Sequence, residues 1–294
     1  MSRCDLHIHS KFSARSEEWL FRRLDFPDSC TEPAELYAEL RKRGMDFVTI
    51  TDHDCIDGCL AIADKPHTFI SEQVTAYFPQ DPCKTHLLVW GISQAQHQDI
   101  SVFRSDIFEL QKYLAENRIA HAVAHPLYSV NGKLTASHLE RLILLFKHFE
   151  GINGLRDSLL SDLATKLLRE LTREKIDEFA SRHDLPPTHL EPWKKILVGG
   201  SDDHGGKFFA SAFTETPKAK TPAEPELPSP FLTDSTIPFQ VIFRAGFTKS
   251  SARARCCSSK CFRDSWKAAI QRNSRCARRR PSLLRVCSPE KFSN

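Results

Sequence analysis

Apolar and polar positions along this chain follow two rhythms that take turns. Leu6 and Ile8 alternate with Asp5, His7 and His9, the period of two expected of a strand with one apolar face. The run Phe47-Val48-Thr49-Ile50-Thr51 is rich in β-branched residues and predicts a buried strand. Further strands are expected over 68–78, 86–92, 119–125, 150–154 and 196–200. Between them the period lengthens to that of a helix. Thr31 can cap a helix that takes Pro33 in its first turn, presents Leu36, Tyr37 and Leu40 as its apolar stripe, and stops at Gly44. Helices also follow from Ile107, Leu110 and Leu114 over 106–117, and from Leu139, Leu142, Ile143 and Phe146 over 138–148. Leu160, Leu163, Leu167, Leu171 and Ile176 predict one long helix over 158–183. Strands alternating with helices imply a parallel sheet with right-handed crossovers, and seven such strands suffice to close a barrel.

The predicted strands end in chemistry. Thr51 is followed by Asp52-His53-Asp54, Ala124 by His125-Pro126, and Gly200 by Ser201-Asp202-Asp203-His204-Gly205, while His86 opens its strand. Folds of the α/β class keep their sites at the C-terminal ends of strands, so closure would gather these clusters into one mouth. Alone, the His7-Ile8-His9 pair is more simply a half-buried strand with imidazoles on its polar face. With the later clusters it becomes a row of ligands, because a strand already fixes the spacing of two imidazoles.

Composition is that of an ordinary globular protein, with 40% hydrophobic and 27% charged residues in 294. No run of eighteen apolar residues exists, and the ligand row begins too early for a signal peptide, so a cytoplasmic protein with no membrane partner is expected. Ten scattered cysteines then read as reduced thiols. Charge is uneven: from Lys249 to Arg280 eleven Lys or Arg face one acid, Asp264, which leaves the rest net acidic. Three segments follow: a domain over 1–216, a Pro-rich linker over 217–248, and a basic Arg/Ser/Cys-rich tail over 249–294. The tail could be an electrostatic nucleic-acid arm, but its abrupt loss of apolar period favours a disordered segment or one translated out of frame.

Asp5-Leu6-His7-Ile8-His9-Ser10, Thr51-Asp52-His53-Asp54, His86, Ala124-His125-Pro126 and Gly200-Ser201-Asp202-Asp203-His204-Gly205, in that order, resemble the polymerase and histidinol phosphatase (PHP) family. The likeness spans roughly residues 3–216 and is nearest to metal-dependent phosphoesterases. The stretches 83–90 and 125–153 also look like PHP modules fused to glycosyltransferases. It implies a distorted (β/α)7 barrel with two or three divalent metal ions. His7, His9 and Asp202 would hold one, His86 and His125 a second, and His53 and His204 a third or the phosphate. The family's bridging carboxylate comes from the third strand. Register places Gln73 there, with Glu72 beside it as the candidate acid although expected on the opposite face. A second departure is Ala14, where relatives carry an acid or His.

The implied activity is hydrolysis of a phosphomonoester or short oligonucleotide by a metal-activated water. His53 and Asp52 are the candidates for protonating the leaving group, and Lys11 and Arg15 for binding phosphate. Imidazole-rich ligand sets suit Mn, Zn or Fe(II) better than Mg. The two departures support an alternative, a catalytically degenerate PHP module that binds metal or phosphate as an accessory domain.

Overall fold

The computed structural model describes residues 1–13, 28–216 and 240–243. Arg15, Ala14, the Pro-rich linker apart from Gln240–Phe243, and the basic tail lie outside them. In chain order the elements are β1 (Ser2–Cys4), α1 (Pro33–Lys42), α2 (Asp57–Leu60), β2 (Ser71–Phe78), β3 (Cys83–Trp90), α3 (Gln94–Phe103), α4 (Ile107–Glu116), β4 (Ala120–Val123), α5 (Ala136–Leu145), β5 (His148–Asn153), α6 (Ser158–Arg169), α7 (Arg173–His183), β6 (Ile196–Gly200), β7 (Ala212–Thr216) and β8 (Gln240–Phe243). None of these helices is long and apolar enough to cross a membrane.

The strands form two sheets rather than the expected barrel. One has the order β2-β3-β4-β5-β6 and the other β1-β7-β8, and no closed barrel is found among the described residues. Nor is the larger sheet parallel throughout. β2 and β3 are an antiparallel hairpin in full register from Ser71 opposite Trp90 to Phe78 opposite Cys83, and β4 is antiparallel to β3. Only β4-β5 and β5-β6 run parallel. The reason is local: Pro79-Gln80-Asp81-Pro82 is a four-residue turn, too short for a crossover helix. The stretches 5–9 and 47–54 do not form ladders. They are attached by single parallel bridges, Ile8 with Asp203, Val48 with Thr68 and His53 with Gln73, and by Thr51 N donating to Ile8 O at 2.8 Å.

The long predicted helix is two helices. Glu170 closes α6, and Thr172 opens α7 by accepting a hydrogen bond on its hydroxyl from Lys175 N. Leu167, Leu171 and Ile176 are all buried, so one apolar stripe continues through the break. At α1 the N-cap is Glu32, one residue later than expected, while Gly44 with φ +83° does follow its end. Ser93 and Gln96 build a capping box on α3, a helix the apolar pattern did not announce.

β3 explains how the fold carries a site. Leu87 and Val89 face the main core with Leu110, Leu142, Phe149 and Leu167 from the surrounding elements. On the alternate face, shared with His86, Leu88 and Trp90 pack with Leu6, Ala122, Ala124 and Val198. Both faces are buried, so the strand reads as a continuous apolar run. Trp90 Nε1 donates to Leu6 O at 3.0 Å, tying the first segment to that layer.

Candidate metal centre

Asp5 sets the position of the first segment. Its Oδ1 accepts from Ser201 N at 2.8 Å and from His7 N at 3.3 Å, and its Oδ2 accepts from Ala210 N at 3.0 Å. Burial raises its pKa to about 7 against these hydrogen bonds. Asp5 therefore anchors the first segment to the stretch between β6 and β7 rather than joining the ligand row. His7 and His9 project away from it, and Asp202 N donates to His7 O at 2.6 Å. Gly200 is required for that approach, since a Cβ there would stand 2.3 Å from His7 Cβ.

Five imidazoles then form a circuit. Ring centroids are 5.2 Å apart for His7 and His9, 4.7 Å for His9 and His53, 4.9 Å for His53 and His86, 5.3 Å for His86 and His125, and 5.8 Å for His125 and His7. His204 stacks on His9 at 4.0 Å. Two groups offer ligand atoms that all lie within 4.8 Å of one another: His7, His125 and Asp202, and His9, Asp28, His53 and His204. His86 belongs to neither. Its Nδ1 lies 3.1 Å from Gln73 Nε2, which also faces His125 Nε2 at 3.2 Å. Two of the assembled residues hold unusual backbone, His125 at φ +28° and Asp202 at φ +53°. Non-glycine residues reach that region at a cost of about 1–3 kcal/mol, and such strain collects at functional sites.

The protonation pattern is set by what lies behind each ring. His7 Nδ1 is 2.8 Å from Glu150 Oε1, and its Nε2 is 3.1 Å from Asp202 Oδ1. His204 Nδ1 donates to Asp202 O at 2.8 Å, and its Nε2 is 2.9 Å from Asp28 Oδ2. A neutral ring with its proton on Nδ1 would aim a lone pair at a carboxylate, so each Nε2 needs a proton or another cation. Burial alone would lower His7, but Asp202 and Glu150 more than offset it and raise its pKa to about 10. His204 is raised in the same way, Asp28 and Asp202 outweighing burial. His9, His53, His86 and His125 lie well below the ordinary imidazole value, first through burial and then through neighbouring imidazoles or, for His125, Arg156. Their neutral rings keep lone pairs available.

Several expected residues stand elsewhere. Glu72 turns to the opposite face of β2 and pairs with His97 Nδ1 at 3.0 Å, because the two-residue period of the strand separates it from Gln73. The structure does not bring Glu72 together with the imidazoles of the circuit. Asp52 is held by Ser10: its Oδ1 accepts from Ser10 N and its Oδ2 from the Ser10 hydroxyl, both at 2.6 Å. Burial raises its pKa to about 7, with the Ser10 bonds opposing. Lys11 pairs with Glu32 at 2.8 Å on the exposed surface. Asp54 accepts from Thr75 N and pairs with Arg104, and Asp203 accepts from Gly205 N and Phe208 N.

Four site residues escaped the sequence reading. Glu150 holds His7 Nδ1 and accepts from His125 N at 2.7 Å through Oε2. Asn153 Nδ2 donates to Glu150 Oε2 at 2.9 Å and to Asp202 Oδ2 at 3.0 Å. Arg156 Nε donates to Asp202 Oδ2 at 3.0 Å with its guanidinium 4.0 Å over the Tyr128 ring. It borders a small cavity of about 20 Å³ shared with His125, Tyr128 and Leu160. Asp28, the fourth, faces His53 and His204. Asn153 sits towards the end of the strand predicted over 150–154, the same signal that marked His125, and Glu150 opens that strand as His86 opens its own; Asp28 and Arg156 carry no comparable spacing.

No family model matches the chain. Over 56 residues it is 43% identical to the uncharacterized protein MJ1587 of Methanocaldococcus jannaschii, covering 19% of this chain and 31% of that one. The chain thus spans about a third of the length of that curated relative. Among solved structures, PsfC of Pseudomonas syringae aligns with a TM-score of 0.45 and 13% identity over 83% of this chain and 93% of that one. A protein of Bifidobacterium adolescentis provisionally named a metal-dependent phosphoesterase gives 0.42 and 14% over 69% and 88%. An amidohydrolase of Chromobacterium violaceum gives 0.38 and 16% over 69% and 87%. Likenesses this distant transfer neither fold nor activity to this chain.

Proposed function

We propose that this chain is a metal-dependent hydrolase of phosphoesters, of the kind its PHP-like motifs imply, acting on a phosphomonoester or a short oligonucleotide. One observation carries the reading. Eight buried atoms in one place lack a hydrogen bond among the described residues: His7 Nε2, His9 Nε2, Asp28 Oδ2, His53 Nδ1, Gln73 Oε1, His86 Nε2, His125 Nδ1 and Asp202 Oδ1. At about 1–3 kcal/mol per unsatisfied group, such a set would consume a stability of ~5–15 kcal/mol typical of a domain. Protons on His7 and His204 relieve part of this, and divalent cations would relieve the rest.

The donor set fits metal. His7, His9, His53, His86, His125, Asp202 and His204 are the residues that would hold two or three ions, and their nitrogen-rich character suits Mn, Zn or Fe(II). Glu150 behind His7 and the Ser13 hydroxyl 3.0 Å from His9 Nδ1 fix ring orientation as outer-shell partners do. Bound metal supplies Lewis acidity and a water acidic enough to be hydroxide near neutral pH. Arg156, with one guanidinium edge on Asp202, is the basic group placed to receive an ester's phosphoryl oxygens. His53, whose pKa burial lowers, is the base or acid candidate nearest His86 and His9.

A second reading rests on Gln73. A neutral amide between His86 and His125 offsets none of the charge of a cation there, which favours a degenerate module that binds metal or phosphate without turnover. Metal analysis of the purified chain, paired with an assay on generic phosphate esters with added Mn, separates them. Bound metal with Mn-dependent phosphate release supports the hydrolase, bound metal without release supports the accessory module, and a metal-free, inactive chain sinks both.

A further inference from the structure

The ends of β4, β5 and β6 that point away from the metal centre carry a second concentration of titratable groups. The three strands run parallel, with Val123 beside Phe149 and Phe149 beside Leu197. Ile196 N still donates to Lys147 O at 3.1 Å, so the pairing continues one residue ahead of β5 and β6. Side chains recur on one face at every second residue, which puts His121, Lys147 and Lys195 side by side in a row below Val123, Phe149 and Leu197, on the face turned to the main core. Like charges on neighbouring strands repel. We propose that this row, with His148 and His189, is a binding site for a single tetrahedral oxyanion such as phosphate. Lys147 and Asn153 stand at opposite ends of β5, so the row is ~20 Å from the metal centre and the inference needs no metal there.

Lys195 fixes one side of the site. Its Nζ donates to Ile143 O at 2.6 Å and to Phe146 O at 2.8 Å at the C-terminal end of α5, stands 5.5 Å from the Phe149 ring centroid, and lies 3.0 Å from His189 Nε2. The carbonyls of a helix end compensate a cation placed there. His189 is held through its neighbour, because Thr188 N donates to Leu144 O at 3.1 Å and the Thr188 hydroxyl to Leu145 O at 2.6 Å. On the other side His121 Nδ1 donates to Ile119 O at 2.7 Å, with its ring 5.6 Å from that of Phe146, and its Nε2 is the atom that can take a further proton. What the row lacks is an acid. The charged groups that bear on His148, His189 and Lys195 are Lys147, Lys195 and the neighbouring imidazoles, and no carboxylate is among them. Lys194, on the same loop, is paired with Glu191 and adds nothing to the row. An oxyanion set among these groups reverses the local field: it offsets the Lys147 ammonium, and it lets the rings take up protons and donate to its oxygens.

The experiment follows the assigned imidazole resonances of the full chain by NMR while inorganic phosphate replaces chloride at constant ionic strength, with the protein stripped of metal so that no bound cation can hold the anion elsewhere. Phosphate is expected to shift the His148 and His189 signals saturably and to raise their titration midpoints from about 3 towards the ordinary imidazole value. Sulfate and glycerol 2-phosphate, titrated in parallel, tell a site for the free ion from one that also takes a phosphoryl group on a larger molecule. Lys147→Met should weaken phosphate binding roughly tenfold or more, the scale of one charge-assisted contact, and Lys147→Arg should retain it. His148 and His189 signals that respond to phosphate no more than to chloride would overturn the proposal, and that result stands on the wild-type chain alone if Lys147→Met folds poorly. A folded Lys147→Met chain that binds phosphate as tightly as wild type would overturn it as well, by placing the anion elsewhere.

Discussion

Gln73 shows how much one atom pair can decide. Its amide nitrogen faces His86 Nδ1 and His125 Nε2, while its Oε1 has no partner among the described residues. Oxygen and nitrogen of an amide are assigned from such networks, and either orientation leaves a neutral group among four lone-pair-bearing rings. A carboxylate at this position would both accept from a protonated ring and offset a cation's charge. Gln73→Glu is therefore expected to tighten metal binding and to raise the rate of phosphate-ester hydrolysis by an order of magnitude or more, read as initial rate in metal-replete protein. An unchanged rate with full metal loading would remove Gln73 from the position between the cations. Glu72 offers no substitute, since it is spent on His97 across the sheet.

At the scale of elements, the strand-end motifs were legible because burial and chemistry alternate along the same segments. His125 follows a short apolar strand and Asp202 follows another, and both arrive beside His7. What the sequence hid has physical causes. The hairpin turn at Pro79-Gln80-Asp81-Pro82 reverses the chain where a crossover was expected. The stripe Leu167, Leu171 and Ile176 continues across a break, so hydrophobic period alone could not separate α6 from α7. Asp28 and Arg156 lie outside any strand, where no period exists to read. The break between α6 and α7 depends on Thr172, whose hydroxyl accepts from Lys175 N at 3.3 Å. Thr172→Ala should cost about 1 kcal/mol, lowering the melting midpoint by ~2–4 °C for a domain of this size. A thermal melt with no shift would mean that the packed stripe, not the cap, fixes where α7 begins.

Across the whole molecule, the buried imidazoles set how the fold answers to acid. Away from the metal centre, His148 and His189 are lowered to about 3, first by burial, then by His121 and Lys147 for His148 and by Lys195 and Lys147 for His189. An unfolded imidazole titrates near ~6.5, so between that value and about 3 the unfolded chain binds more protons, and stability falls as pH falls. His9, His53, His86, His121, His125 and His138 are depressed too and push the same way. Asp5 and Asp52 oppose them: with pKa values raised to about 7, their stabilisation is complete below the unfolded carboxyl value and is lost as pH rises through about 7. His7, raised to about 10, changes little below pH 6.5, where both states are protonated. Eight depressed imidazoles against Asp5, Asp52 and Glu72, whose pKa burial also raises, make the balance negative, so the metal-stripped chain should melt several degrees lower at pH 5 than at pH 7. His148→Gln removes one of the eight without touching the metal centre and should flatten that slope. A variant whose midpoint falls as steeply as wild type's over the same pH range would show that His148 is already able to take a proton in the folded chain.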